Sequence, residues 1–539
     1  MRPDPSPGSR LSVLGIAAIG STPRPPVVDF APIVPSSIQI RPGSGSVPAA
    51  CSERLARPPR SLGLWRALFK YLDTNPAPSM AKPKPSFMDT IVSLCKRRGF
   101  VFQASEIYGG IANTYDYGPL GVELLRRVKD AWWNRTVTAR DDVVGLDSAI
   151  IQNPKVWETS GHVGGFSDPL VDCRHCKARF RADKLEESKC SEKPSKQPGQ
   201  HDKCDLTEPR EFNLMFKTEV GAVEGSSSTA YLRPETAQGI FLNFVNVLNS
   251  ARIKPPFGIA QIGKSFRNEI TPGNFVFRTL EFEQAEMEFF VPPDQNDQWY
   301  EHWKEERYNW YLELGIDPAK LRMRDHGADE LAHYSTACSD IEYQYPFGWG
   351  ELEGIACRTD FDLKRHSEAS GSRLEFFDPQ TKEHYTPFVI EPAGGITRMA
   401  LTFLIDAYEE EQLEKDTRVV LHFHPEIAPT TVAVFPLVKK SDEMVAMAKE
   451  IEKNLRLARY STFYDHTGAI GRRYRRQDEV GTPFCVTVDG DSLEDQTVTV
   501  RHRDSMEQER VLVADLRNYL DRSVRDWKRP ERKAPAAAE

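Results

Sequence analysis

The 539-residue sequence contains no run of about 18 apolar residues, which is the length that a membrane-spanning helix needs. No membrane partner is therefore expected. A short apolar run, Leu11 to Ile19, follows Arg2 and Arg10 as in a secretory signal, but proline-rich sequence comes directly after it. These features argue against a membrane protein and against a secreted one.

Cysteine is scarce and irregularly placed. The nine cysteines show no regular spacing apart from a cluster between Cys173 and Cys204. A disulfide framework is typical of small secreted domains, which this chain does not resemble. The sequence therefore predicts reduced thiols and a cytoplasmic location.

The chain also lacks an overall excess of positive charge, since its formal net charge is −8. Residues 1–79 run against this trend, with nine Lys and Arg against four Asp and Glu, so the remainder is more acidic than the whole. A nucleic-acid partner would have to meet a local basic face of such a protein.

Composition divides the chain into several parts. Residues 1–79 hold 14 of the 39 prolines and no sustained apolar period, which predicts a disordered or non-native leader with Met80 as the functional initiator. A targeting extension is the alternative, which Asp4, Asp29, Glu53 and Asp73 disfavour. Residues 80–416 form a large aromatic-rich unit with a polar, cysteine-containing insertion at about 170–210. A small α/β unit is expected at 417–527, followed by a disordered tail at 528–539.

The stretch from Phe266 to Phe290 predicts two antiparallel strands joined by a turn at Thr271–Asn274. Arg267 and Glu269 are two residues apart on the first of these strands, so their side chains are expected to point the same way. An arginine fork suits an α-phosphate, and the ring of Phe282 offers a flat face to a purine. A hairpin with exposed ion pairs is the alternative interpretation of this pattern taken alone.

Two further segments decide between these interpretations: GGIANTYDYGPLGVELLRRVKDAWW at 109–133 and EPAGGITRMALTFLIDA at 391–407. Together with the hairpin they resemble motifs 1, 2 and 3 of class II aminoacyl-tRNA synthetases. The segments YGPLG, RPETAQGIF, GKSFRNEI, FEQAEMEFF, GWGELEGIA and VIEP are similar to glycyl-tRNA synthetases of the single-chain homodimeric type. The similarity runs from about residue 86 to 520.

The resemblance implies an α+β fold, with an antiparallel catalytic sheet flanked by helices and a C-terminal α/β anticodon-binding domain at 417–527. It implies a homodimer whose substrates are glycine, ATP and tRNA(Gly). A synthetase for serine, proline or threonine is one alternative. A catalytically inactive relative acting as an RNA-binding or polymerase accessory subunit is another, although Arg267, Glu269, Glu351 and Arg398 are all present.

Adenylate formation expels pyrophosphate and needs positioned cations around the phosphates. Arg267, Glu269 and Arg398 are the expected catalytic residues, and Arg278 is expected at the terminal phosphates. By resemblance, the ATP site comprises Arg267, Asn268, Glu269, Phe277, Arg278, Thr279, Leu280, Glu281, Phe282, Glu351, Leu352, Gly395, Ile396, Thr397 and Arg398. Glu351 is the candidate magnesium ligand, with a buried ion pair as the alternative.

A pocket for glycine must exclude a methyl group and hold an ammonium. By resemblance, the glycine site comprises Arg181, Glu235, Phe282, Glu283, Gln284, Ala285, Glu286, Glu391, Pro392, Ala393, Gly394 and Gly395. Many relatives carry serine where this chain has Ala393, so a hydroxyl contact to glycine is lost or replaced.

Two further clusters, one of cysteines and one of arginines, are candidates for a function. Cys173, Cys176, Cys190 and Cys204 could surround a structural zinc ion, with His175 or His201 as substitute ligands, or could be free thiols in an insertion. The run Arg472–Arg473–Tyr474–Arg475–Arg476 either contacts RNA or packs the C-terminal unit, and the sequence leaves both options open.

Overall fold

The computed structural model describes residues 85–531, apart from residues 187, 222–227, 271–272, 332–334 and 415. Its helices are α1 (Phe87–Arg98), α2 (Pro119–Trp133), α3 (Pro154–Thr159), α4 (His162–Gly165), α5 (Ala237–Ala251), α6 (Asn296–Glu313), α7 (Phe361–Ser370), α8 (Ile396–Ala407), α9 (Asp442–Leu457), α10 (Ile470–Val480), α11 (Gly490–Asp495) and α12 (Leu516–Arg525). The predicted leader and residues 532–539 of the predicted tail lie outside the described residues. Within the described ranges, no helix combines the length and the apolar character that crossing a membrane would require.

The strands are distributed along the whole described part of the chain. They are β1 (Val101–Gln103), β2 (Tyr115–Tyr117), β3 (Val143–Gly145), β4 (Ser167–Asp172), β5 (Arg179–Arg181), β6 (Arg210–Asn213), β7 (Lys217–Val220), β8 (Ser228–Tyr231), β9 (Phe257–Phe266), β10 (Glu281–Val291), β11 (Leu321–Asp325), β12 (Ala337–Tyr345), β13 (Gly348–Thr359), β14 (Phe376–Phe377), β15 (His384–Tyr385), β16 (Phe388–Gly395), β17 (Tyr408–Gln412), β18 (Thr417–Leu421), β19 (Val432–Pro436), β20 (Thr462–Tyr464), β21 (Phe484–Val488), β22 (Thr497–His502) and β23 (Gln508–Leu512).

A seven-stranded sheet forms the centre of the catalytic part, in the order β11-β12-β13-β16-β10-β9-β3. Every pairing in it is antiparallel except that of β3 with β9. Helices α2, α6 and α8 pack on the sheet through a core that includes Trp132, Trp303 and Met399. The predicted antiparallel sheet flanked by helices is confirmed.

The hairpin predicted around residue 270 is present, because β9 pairs with β10 from Phe266↔Glu281 to Phe257↔Phe290. One detail of the prediction was wrong. Strand β9 ends at Phe266, so Arg267 and Glu269 lie in the connecting loop and not on an alternating strand. The loop is held at its start by the Arg267 backbone N–H, which donates to the Leu280 carbonyl at 3.0 Å.

A bulge in β13 changes which of its side chains face the same way. Ile341 pairs with Glu353 and Glu342 with Glu351, so Leu352 has no partner on β12. One extra residue shifts the alternation of a strand by one position. Leu352 is accordingly buried in the core, while Glu351 faces the same side as Gly354, Ala356 and Arg358.

Strand β16 leads straight into α8, whose Ile396, Met399, Ala400, Phe403 and Leu404 are buried as their helical spacing predicts. The helix ends at Ala407, because Tyr408–Gln412 pairs with Thr417–Leu421 as a hairpin. This hairpin spans the predicted boundary at residue 416.

The C-terminal unit contains a five-stranded sheet in the order β20-β19-β21-β22-β23. Strands β20, β19 and β21 run parallel to one another, whereas β22 is antiparallel to β21 and β23 is antiparallel to β22. Helix α9 packs on a core that includes Val434, Val486 and Val500. The Ser441 hydroxyl caps α9 by accepting from the Met444 backbone N–H at 3.3 Å. The predicted α/β class of this unit is confirmed, and its last helix begins at Leu516, after β23 has ended at Leu512.

The arginine run at 472–476 lies on α10, and most of it contributes to packing. Buried Arg473 donates to the Pro436 carbonyl at 2.7 Å, and Arg476 donates to Asp465 at 2.7 Å. The hydroxyl of Tyr474 lies 2.7 Å from that of Thr487. Arg472 is exposed, and the side chains of Arg475 and Arg476 are partly exposed, so RNA contact by the run stays a prediction.

Candidate active site

A cavity of about 420 Å³ opens on one face of the seven-stranded sheet. Strands β10, β13 and β16 supply its floor, and the loop after β9 supplies one wall. The structure brings together in its lining sixteen of the predicted site residues: Glu235, Arg267, Glu269, Phe277, Arg278, Thr279, Phe282, Gln284, Glu286, Glu351, Glu391, Ala393, Gly394, Gly395, Thr397 and Arg398.

Strand alternation explains which residues of the predicted runs reach the cavity. On β10, Phe282, Gln284 and Glu286 face it. Glu283 faces the other way and binds Lys129 at 2.9 Å, and Ala285 is buried in the core. Leu352 and Ile396 likewise lie in the core.

The remaining predicted residues lie beside the cavity. Asn268 donates its backbone N–H to the Leu214 carbonyl, and Leu280 donates to the Asn113 carbonyl. Glu281 is exposed and pairs with Lys264, while Pro392 lies opposite Ile355. For all these residues, ligand contact stays a prediction.

Arg181 is also outside the lining. It ends β5 and binds Asp168 at 2.7 Å and Asp183 at 2.8 Å. Both carboxylates, and hydrogen bonding to Asp183 above all, raise the pKa of its guanidinium. Its predicted contact with the substrate stays a prediction.

The arginine end of the cavity is formed by Arg267, Arg278 and Arg398 with Phe277 and Phe282. The Arg267 guanidinium lies 5.4 Å from the Phe282 ring and donates to the Pro234 carbonyl at 3.1 Å. Arg398 lies 4.4 Å from the Phe277 ring and donates to the Glu351 carbonyl at 2.9 Å. Aromatic faces therefore hold both cations while leaving them partly exposed to the cavity.

The carboxylate end is formed by Glu235, Glu286 and Glu391 with Arg358. Arg358 donates to both oxygens of Glu391, at 3.0 and 2.9 Å, and to Asp362 at 2.8 Å. Glu286 accepts from the backbone N–H and the hydroxyl of Thr236, and from Gln284 at 2.6 Å. These side chains are fixed by hydrogen bonds, as buried polar groups must be.

The protonation of the carboxylates differs from one to the next. Burial raises the pKa of Glu391 to about 7, against the opposing pull of Arg358. Burial and the neighbouring Glu235 also raise the pKa of Glu286. The pKa of Glu235 is lowered instead, because the charges of His162 and Arg358 outweigh the effect of burial. The carboxylate end thus contains one firmly ionised carboxylate beside two that bind protons more readily.

Glu288, which sequence reasoning did not assign to the site, lies behind this cluster on β10. It is fully buried, and neither of its carboxylate oxygens has a hydrogen-bond partner among the described residues. Burial, with Glu391 adding to it, raises its pKa well above the ordinary value. A neutral Glu288 avoids adding a further negative charge to the cluster.

Sequence reasoning missed eight lining residues: His326, Glu330, Ser335, Cys338, Asp340, Gly354, Ala356 and Arg358. Arg358 carried a usable signal, since a charged residue directly after the apolar run Ile355–Cys357 indicates burial with a partner. The others carried none, because the pairing of β11, β12 and β13 that brings them together cannot be inferred from any one segment.

Two places in the cavity offer metal ligands. Glu351 presents a carboxylate that is 54% exposed, 3.5 Å from Arg398. His326, Cys338 and Asp340 place their ligand atoms within 4.8 Å of one another. Arg324 already lies 3.1 Å from Asp340 and 3.2 Å from His326, so the second group is partly neutralised by a cation. Glu351 is the better candidate for magnesium, which prefers carboxylate oxygen and open coordination sites.

The cysteines of the insertion converge beside the small sheet β5-β4-β6. The Sγ atoms of Cys173 and Cys204 are 3.6 Å apart, and the Gly199 N–H donates to Cys204 Sγ at 3.1 Å. Burial raises the pKa of Cys173, but hydrogen bonds from backbone N–H groups and from Cys176 bring it down to about 7. Cys190 is buried close by.

Comparison with known proteins agrees with this geometry. A family model for the class II tRNA synthetase core domain (G, H, P, S and T) matches residues 216–450, and one for an anticodon-binding domain matches residues 431–523. A prolyl-tRNA synthetase from Cryptosporidium parvum shares the fold with a TM-score of 0.55 at 15% identity, covering 83% of this chain and 80% of that one.

Curated relatives are much more similar in sequence. A glycine–tRNA ligase of Alkaliphilus oremlandii is 55% identical over 460 residues, which cover 81% of this chain and 98% of the relative. Those of Clostridium acetobutylicum and Bacillus anthracis are 54% and 53% identical, and each is covered to 99% by a match to 81% of this chain. The chain belongs to the glycine–tRNA ligase family of class II aminoacyl-tRNA synthetases.

Proposed function

We propose that the protein ligates glycine to tRNA(Gly) in an ATP-dependent reaction through a glycyl-adenylate, releasing AMP and pyrophosphate. The observation that carries the proposal is a single cavity with guanidinium groups at one end and ionisable carboxylates at the other. The family of the chain supports the same reaction. No side-chain nucleophile is needed, because positioning and charge neutralisation drive the displacement.

The arginine end is assigned to ATP. Arg267 meets the α-phosphate, Arg278 the terminal phosphates, and Arg398 the opposite side of the nucleotide. Phe282 stacks on the adenine, and Glu269 accepts from its exocyclic amine. The partial exposure of Arg398 and its position over Phe277 support this assignment, because a phosphate can reach the guanidinium directly.

Magnesium belongs to the same end. The carboxylate of Glu351 would hold the ion beside the phosphates, where the ion neutralises charge that develops during the displacement. The bulge at Leu352 supports this assignment, because it turns Glu351 toward the cavity.

The carboxylate end is assigned to glycine. Glu235, Glu286 and Glu391 hold the ammonium group, and the carboxylate of glycine points toward the α-phosphate. Ala393 lies opposite Gly354 on one side and Glu286 on the other, so these residues enclose the position of Cα. Larger amino acids are excluded by lack of space rather than by a later hydrolytic step.

After activation, the terminal ribose hydroxyl of tRNA attacks the glycyl carbonyl and AMP leaves. The C-terminal α/β unit is assigned to the anticodon, in line with the family model that matches residues 431–523.

Zinc is proposed for the insertion. Zn–S bonds of about 2.3 Å place tetrahedral ligands about 3.8 Å apart, and the sulfurs of Cys173 and Cys204 are 3.6 Å apart. Backbone N–H groups that lower the pKa of Cys173 favour the thiolate that zinc requires. Cys176 and Cys190 complete the set. Metal analysis of the purified protein tests the assignment, and absence of stoichiometric zinc would end it.

A homodimer and a cytoplasmic location complete the proposal. The exposed side chains of Ile107, Tyr108 and Ile111 precede α2, and Val122 on that helix is also exposed, so an apolar surface is available to a second copy. All eight described cysteines are free, which suits a reducing compartment. Light scattering on the purified protein should give twice the monomer mass.

Amino-acid-dependent exchange of pyrophosphate into ATP tests the central assignment. Glycine should support exchange, and alanine, serine, proline and threonine should not. If only one of these other amino acids supported exchange, the protein would be a synthetase for that amino acid. Absence of exchange with every amino acid would favour an accessory role in RNA binding.

A further inference from the structure

We propose that His162 is a positioning residue for glycine: it holds the Glu235 carboxylate in the orientation that receives the ammonium group. The inference rests on the proposed function, because it assumes that Glu235 contacts glycine. No motif of the sequence pointed to His162, and its imidazole is not part of the cavity lining.

The contact itself is direct. His162 Nε2 lies 3.2 Å from Glu235 Oε2, and Gln238 Nε2 donates to the other oxygen of Glu235 at 3.0 Å. A carboxylate can only accept hydrogen bonds, so Nε2 carries the hydrogen of this pair. Each oxygen keeps a lone pair for a further donor, which the ammonium of glycine would supply.

The imidazole is held in place from its other sides. The Ser160 hydroxyl lies 2.8 Å from Nδ1, which fixes the ring orientation that directs Nε2 to Glu235. Trp157 contacts the ring edge-on at a centroid distance of 5.6 Å, and Phe166 does so at 5.3 Å. A side chain confined in this way loses little further freedom when it holds its partner.

The local sequence builds this arrangement. Asn153 caps α3 by accepting from the Lys155 N–H at 3.0 Å, and α3 places Trp157 in a small core. Gly161 separates α3 from α4 with a φ of 91°, a conformation that favours glycine, and so brings Ser160 and His162 onto one side.

The electrostatic effect is specific to Glu235. Glu286 and Glu391 have raised pKa values, whereas the charges of His162 and Arg358 lower that of Glu235. Arg358 is committed to Glu391 and Asp362 by short hydrogen bonds, whereas His162 Nε2 contacts Glu235 directly. An ammonium ligand needs at least one firmly ionised carboxylate in the cluster.

The test is glycine-dependent pyrophosphate exchange by the full-length protein with saturating ATP. His162→Ala should raise KM for glycine about tenfold, the usual cost of losing a hydrogen bond to a charged group. Neither kcat nor KM for ATP should change by more than about twofold. His162→Gln retains a neutral donor and should recover most of the loss, and Ser160→Ala should raise KM for glycine by about two- to threefold.

Glu235→Gln and the double variant distinguish positioning from a separate effect. If His162 acts through Glu235, adding His162→Ala to Glu235→Gln should not raise KM further. His384→Ala is the matched control, since His384 lies 3.7 Å from Glu375 in an exposed hairpin. It should leave exchange unchanged.

Three results would overturn the inference: an unchanged KM for glycine in folded His162→Ala, multiplicative effects in the double variant, or equal losses in glycine and ATP parameters. If His162→Ala does not fold, an unchanged KM in both His162→Gln and Ser160→Ala would overturn it. Failure of the proposed function looks different, because the wild type would then show no glycine-dependent exchange at all. A raised KM in Glu235→Gln with normal His162 variants would reject only the role of His162.

Discussion

The two ends of the cavity use charge differently. At the arginine end, the Arg398–Glu351 pair is 22% and 54% exposed and its side-chain atoms are 3.5 Å apart. At the carboxylate end, the Arg358–Glu391 pair is 4% and 9% exposed and the atoms are 2.9 Å apart. The first end remains open to a large, highly charged ligand, and the second is assembled before any ligand arrives.

This difference matches the ligands that we propose for the two ends, ATP at the arginine end and glycine at the carboxylate end. ATP brings its own charge and many contacts, so partly exposed cations suffice to hold it. Glycine offers an ammonium, a carboxylate and no side chain, so selection depends on a rigid enclosure of the right size. The buried network at the carboxylate end supplies that rigidity through hydrogen bonds that glycine need not form itself.

The largest expected difference between the two ends is in stability. Arg358→Met should lower the free energy of unfolding by about 3–5 kcal/mol, because it leaves Glu391 and Asp362 buried without their cation. Arg398→Met should cost less than about 1 kcal/mol, since its pair with Glu351 is exposed to solvent. Urea denaturation followed by circular dichroism measures both. Equal losses of unfolding free energy in the two variants would contradict the proposed difference between a preassembled carboxylate end and an open arginine end.

Arg267→Ala should give the largest kinetic effect at the arginine end. Loss of the α-phosphate contact is expected to lower kcat for pyrophosphate exchange by about 10²–10³-fold while the fold stays intact. Arg373→Ala, at an exposed position, is the control and should behave as wild type. Wild-type exchange by folded Arg267→Ala would contradict the assignment.

The carboxylate end should respond to pH. Because the pKa of Glu391 is raised to about 7, its side chain becomes neutral as pH falls through 7, and the attraction for the ammonium is lost. Arg358 faces Glu391 directly, and the charges of Glu286 and Glu235 also act on it. With ATP saturating, KM for glycine should be about tenfold higher at pH 6 than at pH 8, as a single titrating group predicts. Glu391→Gln should flatten this profile, and a flat profile in the wild type would reject the coupling.

The smallest effect is expected from Ala393→Ser, which restores the hydroxyl found in many relatives. Ala393 is half-buried opposite Glu286, so the hydroxyl can donate to that carboxylate or to glycine. A single neutral hydrogen bond should change KM for glycine by no more than about fivefold. A loss larger than that would indicate that the enclosure cannot admit one additional oxygen atom.

Local patterns in the sequence predicted much of this architecture. Local patterns predicted the hairpin β9–β10 and the α/β class of the C-terminal unit. The arginines that we propose for the phosphates could be picked out because their segments resemble motifs of a known family.

Other contacts of the site could not be predicted from the sequence, because they depend on how segments that are distant in the chain pack together. Arg358 is committed to Glu391, 33 residues further on, only because β13 pairs with β16. His162 reaches Glu235 across 73 residues of chain that include the whole insertion. The end of β9 at Phe266 was missed because an alternating pattern does not reveal where pairing stops and a loop begins.

The extra residue in β13 has a consequence for how the chain can change over time. Glu351 and Arg358 are seven residues apart, an odd number that would place them on opposite faces of a regular strand. The extra residue Leu352 restores a shared face, so one strand carries both the proposed magnesium ligand Glu351 and Arg358 of the carboxylate end. Deleting or inserting a single residue between them would turn one of the two away. The spacing between Glu351 and Arg358 is therefore constrained by the fold of β13 as well as by the roles proposed for the two side chains.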